Sequence, residues 1–327
     1  MLLSPSQDDP DDYIMELDYS AMSNFMICPR KAENYSVHGR EAARDQSAMN
    51  FGGLFHKLDA QRLLVGFTER YAQEKVLTIS EHFLRYPPAP ADHRTADYMF
   101  QVMKGYEERY RTDGLKEKLY VHEGEPFVER PFKIKLATLE VDRVLPYRRE
   151  LLVGDEGTSY VRNIHVLYTG IMDALLRQNE LFFVRDSKTS SRGGQEFEEN
   201  FRLSLQTRGY CWAAQKLIGE RVAGLILNAI IVRPPTRTGK GIEYNTRTYF
   251  YSPDLLDEFE DNMKAHVEDF VSNLIRGYWP QVALSFKSPC PSCDYSENCS
   301  LPRGQRAADL ASDLYRDVTW NPMTASK

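Results

Sequence analysis

The stretch VRNIHVLYTGIMDALLRQNELFFVRDSKTS, residues 161–190, contains the pattern that decides the fold. Two segments rich in β-branched and aromatic residues, 161–176 and 181–188, flank the tetrapeptide RQNE, which favours a turn. We therefore predict a pair of strands with Asp173 on the first and Asp186 and Lys188 on the second. Because residues 186 and 188 are two apart on a strand, their side chains share one face of the sheet.

This strand pair places two carboxylates and an amine near each other. Two carboxylates at one end of a sheet form a hard oxygen site of the kind that Mg²⁺ or Mn²⁺ prefers. Lys188 would lie beside such an ion, where its ammonium group would stabilise a hydroxide nucleophile or a phosphorane-like charge. Exposed Asp and Lys residues are also common on ordinary strands, so the pattern alone leaves a structural explanation open.

The segments on either side of the strand pair predict further elements. Ser20 is predicted to cap a first helix that continues to about residue 37, and apolar residues at 51, 54, 55 and 58 predict a second. Residues 78–100 are predicted to be a loop or an insert. After the pair, the pattern predicts a helix over 198–218, strands over 225–232 and 244–251, and a helix from Ser252-Pro253. This order indicates an α/β core with a helical accessory region.

Three polar residues outside the strand pair are candidates for the same site. His56 lies on the second predicted helix, one turn after Gly52 and Gly53. Gln206 and Tyr210 are four apart and share one face of the helix that follows Lys188. For each of them an ordinary structural role is the alternative to metal binding or substrate orientation.

The chain has 5 cysteines and no predicted secretion signal, which argues against a disulfide framework. Three of them follow the spacing Cys290-x-x-Cys293-x5-Cys299, which is typical of a metal site. A tetrahedral site needs a fourth ligand, and Cys28, which is also followed by a proline, is the candidate. Cys211 lies in an apolar helix and is predicted to be a buried core residue. The spacing leaves zinc and an iron–sulfur cluster as alternatives.

Composition limits the class of protein. Of 327 residues, 42% are hydrophobic and 27% are charged, which excludes a disordered or fibrous chain. No apolar run approaches the roughly 20 residues of a membrane-spanning helix, so we expect a soluble, intracellular protein of the cytoplasm or nucleoid. The net charge is −6, but residues 1–18 hold six acidic residues and no Lys or Arg. The remainder is formally neutral, so the charge does not exclude DNA as a partner.

In chain order, the motifs described above closely resemble the RecB-like branch of the PD-(D/E)XK nucleases. They resemble in particular the members with a cysteine-ligated iron–sulfur cluster, such as the CRISPR-associated RecB-like exonucleases and the AddB nuclease domain. The resemblance spans residues 19–300, and residues 19–31, YSAMSNFMICPRK, match the family segment that carries the first cysteine. Two features depart from the family: the residue before Lys188 is often aromatic and is Ser187 here, and residues 82–160 match no family motif.

The resemblance implies a restriction-endonuclease-like core. This core is a central mixed β-sheet flanked by helices, with an N-terminal helical region and a C-terminal cysteine segment that packs back on it. It implies metal ligation of Mg²⁺ or Mn²⁺ by His56, Asp173, Asp186 and the carbonyl of Ser187. It implies that Lys188 is the catalytic lysine, assisted by Gln206 and Tyr210. It also implies a structural [4Fe–4S] cluster, with zinc as the alternative, on Cys28, Cys290, Cys293 and Cys299.

These inferences divide the chain into five segments. They are an acidic flexible leader over 1–18, a helical region over 19–120, a nuclease core over 121–280, a cysteine segment over 281–303 and a tail over 304–327. We expect a metal-dependent deoxyribonuclease, an exonuclease on single strands or DNA ends, acting in DNA processing, repair or recombination, alone or in a recombination or CRISPR-type complex. The alternative is a catalytically silent DNA-binding or recombination subunit of the same fold. Candidate contacts to the DNA backbone are Arg185, Arg233, Arg237 and Lys240.

Overall fold

A computed structural model describes residues 3–146, 158–235, 241–282 and 288–318. The chain forms two compact units and passes between them more than once. The first unit comprises Met1–Arg44, Phe132–Gly170 and Glu260–Ala325. The second comprises Asp45–Pro131, Ile171–Phe259 and Ser326–Lys327.

The α-helices of the described residues occur in groups that are separated by strands. In chain order they are α1 (Tyr19–Ile27), α2 (Pro29–Ala32), α3 (Ser47–Val65), α4 (Glu69–Arg85), α5 (Ala96–Tyr110), α6 (Leu115–Lys118), α7 (Gln195–Arg202), α8 (Leu205–Ile218), α9 (Pro253–Arg276), α10 (Ser296–Ser300) and α11 (Arg306–Leu310). Within the described ranges, every helix is too short or too polar to cross a membrane.

The strands range from two-residue pairs to long ribbons. In chain order they are β1 (Leu3–Pro5), β2 (Asp12–Leu17), β3 (Arg40–Ala42), β4 (Val121–His122), β5 (Glu125–Pro126), β6 (Val128–Pro146), β7 (Thr158–Gln178), β8 (Leu181–Ser190), β9 (Val222–Val232), β10 (Ile242–Phe250) and β11 (Tyr315–Asp317). The sheet that they build is mixed, because it contains both parallel and antiparallel neighbours.

In the second unit, the end of β7 pairs with β8 as the sequence predicts. The two strands are antiparallel, with Ala174 opposite Arg185 and Gln178 opposite Leu181. Asn179 and Glu180 make the turn with φ values of 49° and 63°, the left-handed conformations that a tight two-residue hairpin requires. Strand β8 then runs parallel to β9, and β9 runs antiparallel to β10. The predicted strand pair is therefore confirmed.

The apolar core of the second unit lies between its helices and its strands. The predicted stripe of α3, at residues 51, 54, 55 and 58, is fully buried there against α4, α5 and the end of β9. Every residue of β9 is buried, as a central strand requires. The loop predicted over 78–100 is wrong in its first part, because α4 continues to Arg85. Helix α5 begins after Thr95, whose side chain accepts a hydrogen bond from the backbone N–H of Tyr98.

The predicted helix over 198–218 is two helices, α7 and α8. The break occurs at Leu203 and Ser204, and the Ser204 hydroxyl accepts a hydrogen bond from the Gln206 N–H at 3.1 Å. Gly219 ends α8 in the left-handed conformation, with a φ of 69°. The capping serine therefore fixes where the helix that carries Gln206 and Tyr210 begins.

In the first unit, the acidic leader is an ordered part of the sheet, so its prediction as a flexible segment is wrong. Strand β2 runs parallel to β7, with Asp12 opposite Asn163 and Leu17 opposite Tyr168. Its apolar residues alternate and are buried, so burial of that face stabilises the pairing. The acidic residues before it are held as well, because Arg162 contacts Asp9 at 3.0 Å and Asp11 at 3.3 Å.

The other boundaries of the first unit also differ from the prediction. Asp18 rather than Ser20 caps α1, and its side chain accepts from the Ala21 N–H at 2.7 Å. The helix stops at Cys28, which is extended with a φ of −165°, because a residue before proline disfavours the helical conformation. The predicted tail is partly ordered: α11 forms, and β11 pairs antiparallel with β3. Residues 319–327 lie outside the described residues.

Candidate active site

Strands β7 and β8 bring the two predicted carboxylates into one site of the second unit. The backbone N–H of Ser187 donates to Asp173 Oδ2 at 2.7 Å, which ties the two strands together at this point. Lys188 Nζ donates to Asp186 Oδ1 at 2.9 Å, as expected for side chains on the same face of a strand. Within the described ranges, Asp186 Oδ2 is buried and has no hydrogen-bond partner. This oxygen is thus available to a cation.

Helix α3 adds His56 to the two carboxylates. Its Nδ1 atom lies 3.1 Å from Asp173 Oδ2. Glycine at position 52 permits this approach, because a Cβ atom there would come within 2.9 Å of the Thr189 hydroxyl on β8. His56, predicted from sequence as a partner of the strand pair, therefore lies next to Asp173.

Glu129 also belongs to the site, although the sequence analysis missed it. One ligand atom each from His56, Glu129 and Asp173 lies within 4.8 Å of the other two. Glu129 has a φ of 47°, an unfavourable conformation for a residue with a Cβ atom, and such residues cluster at functional sites. Only a weak signal was present in the sequence, namely an acidic residue next to Val128 at the start of a strand.

The charges of the site shift its pKa values in different directions. Burial raises the pKa of Asp186, despite the attraction of the Lys188 ammonium group. Burial opposes charge on Asp173 too, but the neighbouring His56 lowers the pKa of that carboxyl. Burial also opposes protonation of His56, yet the Asp173 carboxylate raises its pKa. Asp186 influences the pKa of His56 as well, so all these groups belong to one electrostatic cluster.

The donor set fits a hard divalent cation. The site holds three carboxylates, of Glu129, Asp173 and Asp186, and among the described residues one Asp186 oxygen is buried without a hydrogen-bond partner. Carboxylate oxygens together with one imidazole are ligands that suit Mg²⁺ or Mn²⁺. A cation would stabilise the charged form of Asp186, whose pKa burial raises.

We expect the metal-free protein to lose stability as the pH rises through the range in which His56 loses its proton. The folded-state pKa of His56 is raised above its usual value of 6.5. The stabilisation by the His56–Asp173 pair is therefore complete below the unfolded-state pKa and is lost as the pH rises through the folded-state pKa. Melting temperatures in EDTA between pH 6 and pH 9 test this expectation. His56→Gln should show a smaller decrease, and an equal decrease in both proteins would contradict the assignment.

The polar pair on α8 is arranged as the sequence predicts, on one face of the helix. Gln206 Nε2 donates to Tyr210 Oη at 3.3 Å. Helix α8 packs against β8 and β9, the strands next to the carboxylates. The two side chains therefore lie on a helix that packs against β8, the strand that carries Asp186 and Lys188.

The basic residues predicted to contact DNA have different locations. Arg185 is 2% exposed and pairs with Asp59, so its prediction as a DNA contact is wrong. It alternates with Asp186 along β8 and therefore points to the opposite, helix-covered face. Arg233 is half-buried and pairs with Glu243, and its contact with DNA stays a prediction. Residues 237 and 240 lie outside the described residues.

In the first unit, the four cysteines of the predicted cluster line one cavity of about 370 Å³. Cys28 reaches it from the end of α1, and the other three from the C-terminal segment. Cys211 is buried elsewhere, on α8 in the second unit, which confirms its prediction as a core residue.

The four cysteines that line the cavity offer soft sulfur ligands. Four thiolates suit either zinc or an iron–sulfur cluster, the two alternatives that the sequence leaves open.

Residues 16–300 match the family model described as the PD-(D/E)XK nuclease superfamily. The chain belongs to this superfamily. Its mixed sheet flanked by helices agrees with the predicted restriction-endonuclease-like fold, and the membership supports a nuclease. The match is to the superfamily as a whole, not to the RecB-like branch.

Solved structures are similar over most of the chain, at low sequence identity. One is a candidate exonuclease from Eubacterium rectale, with 10% identity, a TM-score of 0.48 and coverage of 88% of this chain and 89% of that one. Another is SSO0001, with 12% identity, a TM-score of 0.32 and coverage of 87% and 85%. No curated protein sequence matches the chain.

Proposed function

We propose that this superfamily member is a metal-dependent deoxyribonuclease, an exonuclease that hydrolyses single-stranded DNA or DNA ends. One observation carries the proposal: three ligand atoms within 4.8 Å, from His56, Glu129 and Asp173, form a group beside the Lys188–Asp186 pair. An imidazole, several carboxylates and an adjacent amine are the groups needed for metal-assisted phosphodiester hydrolysis. The exonuclease assignment rests on the resemblance to RecB-like exonucleases.

Each residue of the site has a role in this proposal. His56, Glu129, Asp173, Asp186 and the Ser187 carbonyl would hold Mg²⁺ or Mn²⁺. Such a cation, when bound, polarises the scissile phosphate and lowers the pKa of water. Lys188, held at 2.9 Å by Asp186, directs its ammonium group at the charge that develops on the phosphate oxygens. Gln206 and Tyr210 orient the substrate or the lysine.

A gel assay on end-labelled DNA tests the proposed function. Linear single strands, linear duplexes and closed circles are incubated with the wild-type protein in Mg²⁺, Mn²⁺ or EDTA. We expect degradation of linear DNA with either cation, none in EDTA, and intact circles. Cleavage of circles would overturn the exonuclease assignment. No cleavage by folded protein would favour the catalytically silent DNA-binding subunit.

We expect Glu129→Gln to weaken Mn²⁺ binding and to leave the fold intact. The amide keeps the size of the side chain but removes one of the carboxylates that surround the proposed cation. The concentration of Mn²⁺ at half-maximal activity should rise by about 10–100-fold, the range found when groups around a metal site are removed. Glu125→Gln is the control, because Glu125 is an exposed carboxylate four residues earlier. Equal Mn²⁺ requirements in both variants would remove Glu129 from the site.

The cysteine cavity has a separate, structural role in this proposal. Cys28, Cys290, Cys293 and Cys299, which line one cavity, would ligate a [4Fe–4S] cluster, and the resemblance to RecB-like iron–sulfur nucleases is the reason to propose it over zinc. The cluster would join α1 to the C-terminal segment of the same unit. Because ligands so distant in sequence meet only in the folded chain, binding of the cluster would contribute directly to stability.

A further inference from the structure

A polar network is buried on the face of β8 that points away from Asp186 and Lys188. Arg185 and Ser187 alternate with those two residues and are 2% and 0% exposed. A charged group is almost never buried to this extent unless it is paired. The surrounding side chains must therefore supply partners for the guanidinium group of Arg185.

Asp59 on α3 is the centre of this network. Its Oδ2 atom accepts hydrogen bonds from Arg185 and, at 3.0 Å, from the Ser187 hydroxyl. Its Oδ1 atom accepts from the Tyr106 hydroxyl at 2.9 Å and from Arg62 at 3.2 Å. One buried carboxylate thus accepts hydrogen bonds from side chains on α3, α5 and β8.

The network extends to Asn228 on β9 and to Asp113. Asn228, which is opposite Ser187 in the pairing of β8 with β9, donates to the Ser187 hydroxyl at 3.1 Å and to Tyr106 at 3.0 Å. Arg62 also donates to Asp113 at 2.9 Å. Burial alone would raise the pKa of Asp59, but Arg185 and Arg62 hold it well below its ordinary value. Asp59 is therefore a charged, fully hydrogen-bonded residue.

Two routes connect α3 to the catalytic strand. His56 contacts Asp173 on β7, and Asp59, one helical turn later, holds Ser187 and Arg185 on β8. Ser187 also donates its backbone N–H to Asp173. We propose that Asp59 is a positioning residue of the nuclease reaction, which fixes the distance between His56 on α3 and the Asp186–Lys188 pair on β8. The inference rests on the proposed function.

Directional bonds explain why a polar group occupies this place. Apolar residues of similar volume are often as stable as a buried ion pair, so stability alone does not require Asp59. Apolar packing permits small shifts of a helix along a strand, whereas four hydrogen bonds to one carboxylate do not. A misplacement of about 1 Å costs about 100-fold in rate when catalytic groups depend on orientation.

Two variants test the positioning role. Asp59→Asn keeps the shape but removes the charge that pairs with both guanidinium groups, and Ser187→Ala removes the link to the strand without changing any charge. The affinity for Mn²⁺ is measured by direct titration without DNA, in which the electron paramagnetic resonance signal reports the free ion. Each variant should bind Mn²⁺ about 10–100-fold more weakly than the wild type. With saturating Mn²⁺, kcat should fall at least tenfold, with KM for DNA unchanged.

Leu58→Ala is the matched control for lost stability. Leu58 is adjacent to Asp59 on α3 but is fully buried in the apolar core. Its truncation should lower the melting temperature. Mn²⁺ affinity and kcat, measured at a temperature below the unfolding transition of every variant, should equal those of the wild type. The double variant Asp59→Asn/Ser187→Ala should bind Mn²⁺ no more weakly than Asp59→Asn alone, because the two residues act through one link.

The inference is wrong if Asp59→Asn and Ser187→Ala keep the Mn²⁺ affinity and kcat of the wild type. It is also wrong if Leu58→Ala loses as much Mn²⁺ affinity and kcat as they do. If Asp59→Asn does not fold, Ser187→Ala decides by the same criteria. A wild type that binds Mn²⁺ but cuts no DNA would overturn the proposed function, and the Mn²⁺ titration would still decide the positioning role. A wild type that binds no Mn²⁺ would overturn both.

Discussion

Lys188→Ala should reduce the rate of metal-dependent DNA hydrolysis by at least about 100–1,000-fold, the loss typical of one removed group that stabilises transition-state charge. Lys188 lies 2.9 Å from the buried Asp186, so its ammonium group is held in one place rather than left to move in solvent. A charge that is already oriented costs no reorganisation when the transition state forms. The truncated side chain leaves the phosphate without this partner.

The same variant should still bind Mn²⁺. Lys188 is a cation, and its removal lowers the repulsion between the site and an added cation. Direct Mn²⁺ titration should therefore give wild-type or tighter binding, while kcat falls. This combination separates a role in catalysis from a role in holding the metal. Weakened Mn²⁺ binding with an unchanged kcat at saturation would contradict the assignment of Lys188.

Lys57→Ala is the matched control. Lys57 follows His56 on α3 but is exposed, so the same charge is lost from the second unit without loss of a contact to Asp186. We expect wild-type kcat for it. Activity in Lys188→Ala with an inactive Asp173→Asn, purified in parallel, would remove Lys188 alone from the site. Equal activity of both variants and the wild type would indicate a contaminating nuclease or a misplaced site.

The part of the site that depends on local spacing was predictable from sequence. Asp173, Asp186 and Lys188 follow from a hairpin whose two strands are adjacent in the chain. The side-chain period of a strand then fixes that residues 186 and 188 share a face. Gln206 and Tyr210 follow in the same way from the period of a helix.

The residues that were missed depend on contacts between distant parts of the chain. Glu129 meets His56 across a long stretch of intervening chain, and its backbone at the start of β6 has an unusual conformation. Asp59 and Arg185 are 126 positions apart, and no pattern within either segment indicates their pairing. Arg185 was therefore predicted to be a surface residue. A charged residue whose partner is unknown is predicted from sequence to be exposed to solvent. Only the fold identifies its partner.

The acidic leader, residues 1–18, was predicted wrongly because its sequence contains two conflicting signals. The acidic residues of 1–18 favour disorder, whereas Tyr13, Met15 and Leu17 alternate as a half-buried strand does. The segment forms a strand because it pairs with β7 and because its three alternating side chains are buried. The acidic residues then face basic partners such as Arg162. Deletion of the leader would expose both sets of contacts.

Cys293→Ala should cause a large loss of stability in the first unit. If the four cysteines ligate a cluster, removal of one ligand releases it or leaves it labile, and loss of a metal site is among the few changes that cost about 4 kcal/mol or more. For a chain of this size the melting temperature should fall by roughly 10 °C. Iron and sulfide content and the visible absorbance of anaerobically purified protein should fall with it.

Cys211→Ala separates loss of the cluster from loss of a buried thiol. Cys211 is fully buried but lies on α8 and outside the cysteine cavity. Its truncation leaves a small void, so some stability is lost, yet iron and sulfide should remain at wild-type levels. A Cys293→Ala protein with wild-type metal content and melting temperature would remove Cys293 from the ligand set. Zinc in place of iron in the wild type would keep the four ligands and change the metal.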